Sequence, residues 1–502
     1  MAYDISAWGP NLEEWLKAWS GREFDVSLSE AITSVVKRYS TLVGQCKFEL
    51  VSPETWSILH YQEAENILSS WKTLAEDAQE VYGKIDSSGK AAFFELVLHP
   101  IQAGGNIHSL YIGAAKNNMY ARQGRNSANF MAEETLRMFK RDHEISKAYN
   151  GLLNTKWNHM MDQTHIGYTY WQQPMRQMTP PLQYVQALET SLSGDMRISV
   201  EGQLGVIPGD DQYNKGGVLV LSTSSLYSPP RWIDISNTGI TNVTFQAHSD
   251  PFVKLSQSRG SLSISGEGSD ARVLLMLDWS IVPLNGGSAS VTVTGVSDVT
   301  GARSIAKVLV PYVTVRPPNG YTGFVEADGY VALDAWNLSS HFFPGPAVVG
   351  EPALLRIWDY GVTLSPLTLR SLDTSKAPTL EVPFWTFSNL QSPSIILFFT
   401  PSLNTDHDHP MRYAISVDGT DSQVIQLVHD RSAGDMPSGW DQAVSQERWE
   451  SKTSWVISPG IHKLSIKLLD GGIVLKRVVV NMGGLKPSGL GPPPSKWVSS
   501  TQ

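Results

Sequence analysis

Pro180-Pro-Leu-Gln-Tyr-Val-Gln-Ala-Leu-Glu-Thr-Ser-Leu-Ser-Gly-Asp-Met-Arg-Ile-Ser-Val-Glu201 divides the chain into two kinds of pattern. Ahead of it, apolar residues recur every three to four positions, as on one face of a helix. From Arg197-Ile-Ser-Val-Glu201 onward they alternate, as on a half-buried strand. Two successive prolines end a helix because each lacks the backbone N–H a further turn needs. The fold class that follows is multidomain α + β: an N-terminal helical bundle, then β-sandwich domains.

On the helical side, Ser27-Leu-Ser-Glu30 reads as a capping box ahead of Leu28, Ile32, Val35, Val36, Tyr39, Leu42 and Val43. Ala64, Ile67, Leu68, Trp71, Leu74, Ala75, Ala78, Val81 and Tyr82 form one stripe that should stop at Gly83. A third helix is expected from Ala91 to Asn117, kinked near His99-Pro100, and a fourth from Ser127 towards Tyr149. With a short helix over Leu12–Trp19, these make a bundle of about five.

Beyond the break, Ser290-Val-Thr-Val-Thr294 and similar short strands point to an immunoglobulin-like sandwich over 185–316, closed by the Pro317-Pro-Asn-Gly320 linker. A second sandwich, of jelly-roll type, is expected over 321–484. Within it Leu464, Ile466 and Leu468 should face the core while Lys463, Ser465 and Lys467 face out. The Pro- and Gly-rich stretch 485–502 reads as a surface tail.

Composition narrows the function. A net charge of −9 offers no basic surplus for phosphates, so no nucleic-acid partner is expected. Cys46 is the single cysteine, which rules out an intrachain disulfide. Met1–Pro10 shows no basic or apolar leader pattern, and no run of 18 apolar residues occurs, so neither a signal peptide nor a membrane span is expected in the chain as given. The 16 tryptophans against only 17% charged residues suit a polysaccharide-active protein or a large β-sandwich protein.

The richest chemistry lies in Trp157-Asn-His-Met-Met-Asp-Gln-Thr-His-Ile-Gly-Tyr-Thr-Tyr-Trp-Gln-Gln-Pro174. Planar amides and imidazoles alternate with aromatic rings, which suits a sugar, with hydroxyls to pair and a C–H face to stack. His165, Tyr168, Tyr170 and Trp171 are expected to form a polar-aromatic pocket wall, with Asn158 and Asp162 holding the loop from behind. A buried polar network is the alternative reading.

This stretch also resembles a signature of glycoside hydrolase family 115, the xylan α-1,2-glucuronidases. Phe94–Pro100, Ala121–Asn129, Arg231–Ser236, Val273–Trp279, Gly323–Tyr330, Arg412–Asp418 and Gly483–Ser488 resemble further family segments in the same order. The resemblance implies a hydrolase, inverting in the family, that removes (4-O-methyl)glucuronic acid from glucuronoxylan. It also implies an extracellular setting. Family members are roughly twice as long and carry a (β/α)₈ barrel ahead of the bundle. Residues 1–20 are therefore expected to be the end of that barrel and a linker, with the bundle over 21–182. The catalytic acid would belong to the barrel, so no catalytic residue is expected in this chain, which should be inactive alone. The barrel, in cis or in trans, becomes an expected partner beside glucuronoxylan or an aldouronic oligosaccharide, and a homodimer is also allowed. Asp334-Ala-Trp-Asn337 departs from the Glu and His more usual in the family.

The remaining constellations are weaker. Arg122 and Arg125, beside Gln123 and Asn126, are candidates for recognising a uronic carboxylate, with a structural ion-pair network as the alternative. Glu133-Glu134 reads as a solvated helix face. Asp406-His-Asp-His409 holds metal-ligating types, but adjacent residues point in opposite directions along a strand and Pro410 follows, so a polar turn is expected. No metal or cofactor is expected. Trp232 and Trp279 read as core, whereas Trp440 and Trp449, flanking Asp441–Glu447, are candidates for stacking sugar. The second functional reading is accordingly a non-catalytic carbohydrate-binding or dimerisation module.

Overall fold

The computed structural model describes residues 12–170, 172–208, 217–335, 354–356, 367–369, 379–432 and 434–499. They form two units. The first comprises the described residues through Ile58, then Gln62–Ala115 and Ala132–Leu182; the second comprises Leu59–Tyr61, Lys116–Met131 and the residues from Gln183 on.

The helices are α1 (Leu12–Glu23), α2 (Ser29–Val43), α3 (Glu63–Lys84), α4 (Ser87–Phe93), α5 (His99–Arg122), α6 (Ser127–Asn150) and a single turn, α7 (Leu152–Thr155). Several boundaries differ from the sequence expectation. Ser27 is not the cap of α2: Asp25 caps a 3₁₀ turn over Val26–Leu28 by accepting from the Ser27 N–H at 2.7 Å, and α2 starts at Ser29. Gly83 lies inside the last turn of α3, which ends at Lys84. The break near His99-Pro100 is a π-helical turn over Phe94–Leu98 that runs straight into α5, and this local widening just ahead of Pro100 is where the helix accommodates a residue without an N–H. The short helix expected over Leu12–Trp19 is α1, which runs on to Glu23 and whose Glu13 pairs with Lys37 on α2 at 2.8 Å.

Inside the first unit, Trp71 of α3 packs on α5 at Gly104, where a β-carbon would stand 2.6 Å from the indole. His108, one turn further along α5, stacks on Trp71 and Trp56 with centroids 5.0 and 5.8 Å away. Its Nδ1 meets the Gly104 carbonyl at 2.8 Å, and burial pushes its pKa down to about 4.

In the second unit, the first ten strands are β1 (Met196–Val200), β2 (Val206–Ile207), β3 (Val218–Val220), β4 (Arg231–Asn237), β5 (Val243–Ser249), β6 (Val253–Leu255), β7 (Arg259–Leu262), β8 (Asp270–Leu277), β9 (Gly287–Ser297) and β10 (Arg303–Tyr312). They build two five-stranded sheets ordered β2-β1-β4-β8-β6 and β3-β10-β9-β5-β7. Ile198, Ile233 and Val273 of one sheet and Phe245, Val291 and Val308 of the other share one core. β4 is buried along its whole length. Ile233 and Ile235 enter that core, while Asp234 on the opposite face meets Arg125 and Arg272.

The later strands are β11 (Gly323–Val325), β12 (Tyr330–Asp334), β13 (Leu354–Arg356), β14 (Leu367–Leu369), β15 (Thr379–Thr386), β16 (Ser394–Phe399), β17 (Arg412–Val417), β18 (Gln423–Gln426), β19 (Trp449–Ser454), β20 (Gly460–Leu468), β21 (Val474–Asn481) and β22 (Trp497–Val498), with α8 (Trp440–Ser445) before β19. One sheet runs β18-β17-β20-β15-β11-β22 and the other β13-β14-β21-β16-β19, with β12 also on β21. Leu464, Ile466 and Leu468 face the shared core. The tail is more than a surface strap. β22 extends a sheet by pairing antiparallel with β11, and the Arg477 guanidinium donates to the Leu490 and Pro492 carbonyls at 2.9 and 2.8 Å.

The two sets of sheets meet at a hydrogen-bonded joint. Arg231 of β4 donates to Asp328 in the β11–β12 turn and to the Thr223 carbonyl, and Ser228 donates to the same carboxylate at 2.7 Å. Among the described residues no helix is long and apolar enough to cross a membrane.

Candidate functional site

The loop after α7 is tied to the first unit by polar contacts that the sequence alone did not expose. Asp142 projects from α6 on the stripe that also carries Ile145 and Tyr149, and all three are buried. Its Oδ1 lies 2.7 Å from the His165 Nε2. Gln177 closes the loop from the other side: its Oε1 accepts from the backbone N–H groups of His165 and Ile166, at 3.0 and 2.6 Å. The Gly167 N–H donates to the Tyr111 hydroxyl at 3.2 Å, and the Met178 N–H returns to the Ile166 carbonyl at 3.2 Å. Gly167 has φ +101°, which favours glycine, and the tight turn it makes leaves Ile166 fully buried.

The electrostatics centre on His165, whose side chain is 37% exposed while that of Asp142 is 8% exposed. Burial on its own would lower the His165 pKa, but hydrogen bonds to Asp142 and the Gln163 carbonyl outweigh it and raise the pKa above the ordinary imidazole value. Nearby His99 is shifted the other way. Burial lowers its pKa against the attraction of Asp142, and a charged His165 would lower it further. The His99 ring packs on Tyr149 with centroids 4.7 Å apart, and the Tyr149 hydroxyl donates to Glu95 at 3.0 Å. Burial and that carboxylate both raise the Tyr149 pKa.

Of the expected wall, His165 and Tyr168 are half-buried and Tyr170 is 63% exposed. Tyr168 is approached by the Gln163 amide at 3.5 Å. Trp171 lies outside the described residues. His165 works as a support rather than a free face, because both ring nitrogens already have protein partners. Behind the loop, Asp162 accepts from the Asn150 amide at 3.0 Å and contacts His159 Nδ1 at 2.5 Å. Asn158 is exposed and places its backbone N–H on the Thr155 carbonyl, while Asn150 ties the loop through the Met161 N–H at 3.0 Å. The supporting amide is therefore Asn150. Asp142, Gln177, Tyr111 and Asn150 were missed because each lies outside the loop or at its far end. Their pairing depends on how α5 and α6 are packed.

The other candidates separate. Arg122 is exposed. Arg125, 1% exposed in the second unit, is enclosed by Asp234 at 3.2 Å, Asp270 at 3.1 Å and Ser199, so it is an ion-pair anchor and not a recogniser of uronic acid. Glu134 pairs with Arg137 on the same helix face. Asp406 closes a turn by accepting from the Asp408 N–H at 3.1 Å and meeting His409 at 2.8 Å. Among the described residues no group of three or more His, Cys, Asp or Glu side chains is placed to hold a metal. Trp232 and Trp385 are buried, and Trp279 packs against the first sandwich core. Trp440 and Trp449 are half-buried with centroids 6.0 Å apart, and the Trp449 indole donates to the Ser402 carbonyl at 3.3 Å. Asp334 holds Arg477 at 2.6 Å; Trp336 and Asn337 lie outside the described residues.

Residues 323–494 match the family model described as the glycosyl hydrolase family 115 C-terminal domain. No curated protein matches the chain. Among solved structures the chain is similar to a family 115 4-O-methyl-α-glucuronidase with specificity for decorated arabinogalactans. That match has 14% identity and a TM-score of 0.47, and covers 93% of this chain and 41% of that one. A calcium-binding mutant of Bacteroides uniformis β-glucuronidase 2 matches at 10% identity over 53% of this chain and 28% of that one, with a TM-score of 0.21. The chain thus spans about two fifths of the length of the first enzyme. Residues 323–494 are thus similar to the C-terminal domain of glycoside hydrolase family 115.

Proposed function

We propose that the chain is the non-barrel portion of an α-glucuronidase-like hydrolase that removes (4-O-methyl)glucuronic acid from glucuronoxylan. The observation that carries this reading is the family 115 C-terminal domain at 323–494. The loop over 157–174 supports it, since Tyr170 is exposed beside a turn fixed by Asp142, Gln177 and Tyr111. In this reading Tyr168, Tyr170 and Trp171 stack and hydrogen-bond the uronic acid without transferring a proton. The two flanking carboxyl groups that hydrolysis needs come from a barrel supplied in cis or in trans. Finer fold assignments belong to the same reading: an immunoglobulin-like sandwich over 185–316 and a jelly-roll-like one over 321–484.

Purified chain incubated with 4-O-methylglucuronoxylan should release no uronic acid above a buffer control. The same chain fused behind a family barrel should release it, and Tyr170→Ala in the fusion should lower kcat/KM about tenfold, the scale of one lost stacking contact. Turnover by the unfused chain, or a fusion indifferent to Tyr170→Ala, would overturn the reading.

One observation favours a second reading. The half-buried Trp440–Trp449 pair on the second sandwich fits a carbohydrate-binding module without hydrolysis. Retardation of the chain in a xylan-containing native gel, abolished by Trp440→Ala, would support it; unchanged mobility would count against it.

A further inference from the structure

The Nδ1 of His165 is claimed by two partners that need opposite things of it. The Gln163 carbonyl, 2.9 Å away, accepts only if Nδ1 carries a proton. The Gln177 Nε2, 3.1 Å away, donates only if Nδ1 carries a lone pair. Gln177 does not resolve the conflict by flipping, because its Oε1 is held by the backbone N–H groups of His165 and Ile166. Its Nε2 has one other acceptor nearby, the Asp142 Oδ2 at 3.5 Å. Protonation state therefore selects the bonding pattern. The cation donates from Nε2 to Asp142 and from Nδ1 to Gln163, leaving the Gln177 amide to Asp142. The neutral ring keeps Nε2–H on Asp142, takes the Gln177 amide at Nδ1 and gives up the Gln163 carbonyl.

The groups facing His165 make this single proton decisive. From α6 comes the buried carboxylate of Asp142, which favours the cation. From α5 comes His99, whose ring stacks on Tyr149, and Tyr149 in turn meets Glu95 of the π turn. Burial lowers the His99 pKa, which disfavours a second cation competing for Asp142. The loop itself contributes the neutral amides of Gln163 and Gln177.

We propose that His165 is a positioning residue acting as a proton-operated latch: with Nε2 held on Asp142 in both states, the protonated ring closes the turn 163–165 by donating from Nδ1 to the Gln163 carbonyl, and the deprotonated ring hands Nδ1 to Gln177, frees that carbonyl and loosens the turn carrying Tyr168 and Tyr170. The latch does not depend on the hydrolase reading, because its readout is the backbone of the loop with no sugar present.

Hydrogen–deuterium exchange of the full chain between about pH 5 and about pH 8, corrected for intrinsic rates, tests it. Protection of the peptides over 163–170 should fall about fivefold as pH rises through the His165 pKa, the scale of one lost hydrogen bond. His165→Gln should abolish the dependence, and Asp142→Asn should move its midpoint to lower pH. Protection that ignores pH in the wild type, the same dependence in His165→Gln, or an unmoved midpoint in Asp142→Asn would overturn the latch. Should either variant fail to fold, imidazole ¹⁵N NMR of the unaltered protein decides. The neutral His165 ring should be the Nε2–H tautomer with a pKa above about 6.5. An Nδ1–H tautomer, or a pKa at or below that value, would sink the proposal.

Discussion

Gly484 passes directly over the Asp328 carbonyl: a β-carbon at Gly484 would stand 1.7 Å from that oxygen. The contact is fixed by hydrogen bonds from the Met482 and Gly484 N–H groups to the Gly329 carbonyl, at 2.8 and 3.1 Å. Asp328, with φ +54°, also receives Arg231 from the first sandwich. Arg231–Ser236, Gly323–Tyr330 and Gly483–Ser488, three separate segments of sequence, thus meet at one joint. Neither backbone can yield without breaking it, so Gly484→Ala should cost about 3 kcal/mol. Urea unfolding checks this, and a loss below about 1 kcal/mol would mean that the turn relaxes freely.

Arg125 supports two carboxylates at once, the buried Asp234 and the half-buried Asp270. Burial would raise the Asp234 pKa, but the guanidinium groups of Arg125 and Arg272 outweigh it and hold this carboxyl below its usual range. Burial wins at Asp270, whose pKa is raised. Arg125→Met should cost about 3–5 kcal/mol, the penalty for leaving a buried charge unpaired. Adding Asp270→Asn should recover part of that loss while keeping the Ser127 hydrogen bond. The double variant unfolding earlier in urea than the single would contradict the assignment.

His108 links stability to pH. Its folded pKa of about 4 lies below the unfolded value, so the unfolded chain takes up its proton first as pH falls. Its contribution is complete above about pH 6.5 and is lost between there and about pH 4, on the order of 3 kcal/mol. His165, shifted upward, works in the opposite sense: its contribution is present below the unfolded pKa and fades as pH rises through the folded one. Urea midpoints at pH 7 and pH 4.5 should therefore differ less in His108→Gln than in the wild type. Equal differences would rule out the titration.

Asn150 and Asn158 offer a paired test of what holds the loop. Asn150→Ala removes the bonds to Met161 and Asp162 and should speed tryptic cleavage after Lys156 about fivefold, as the loss of about 1 kcal/mol of local hydrogen bonding would. Asn158→Ala should leave the rate unchanged, since its side chain is exposed. The reverse ranking would restore the role expected for Asn158.

Much of the architecture was legible because burial imposes its period on the residues themselves. Alternation at Lys463–Leu468 is the burial pattern of β20, and the stripe from Ala64 to Val81 is the buried face of α3. Ends were less legible. Ser27 and Asp25 are both good caps, and the choice between them rests on which N–H each oxygen reaches. The stretch 485–502 reads as a surface tail because Pro and Gly suppress local periodicity, yet β22 completes a sheet by pairing with a strand more than 150 residues earlier.

The site divides in the same way. From sequence alone came the location of the loop and its mix of amides and rings, because composition is a local property. Its supports came only from the tertiary structure. Asp142 looked like any helical acid until the packing of α6 aimed it at His165, 23 residues away. Arg125 looked able to bind a uronic acid until the strands closed Asp234 and Asp270 around it. A side chain's chemical type is written in the chain, but whether its charge faces solvent or a partner depends on residues far away, and folding alone brings those together.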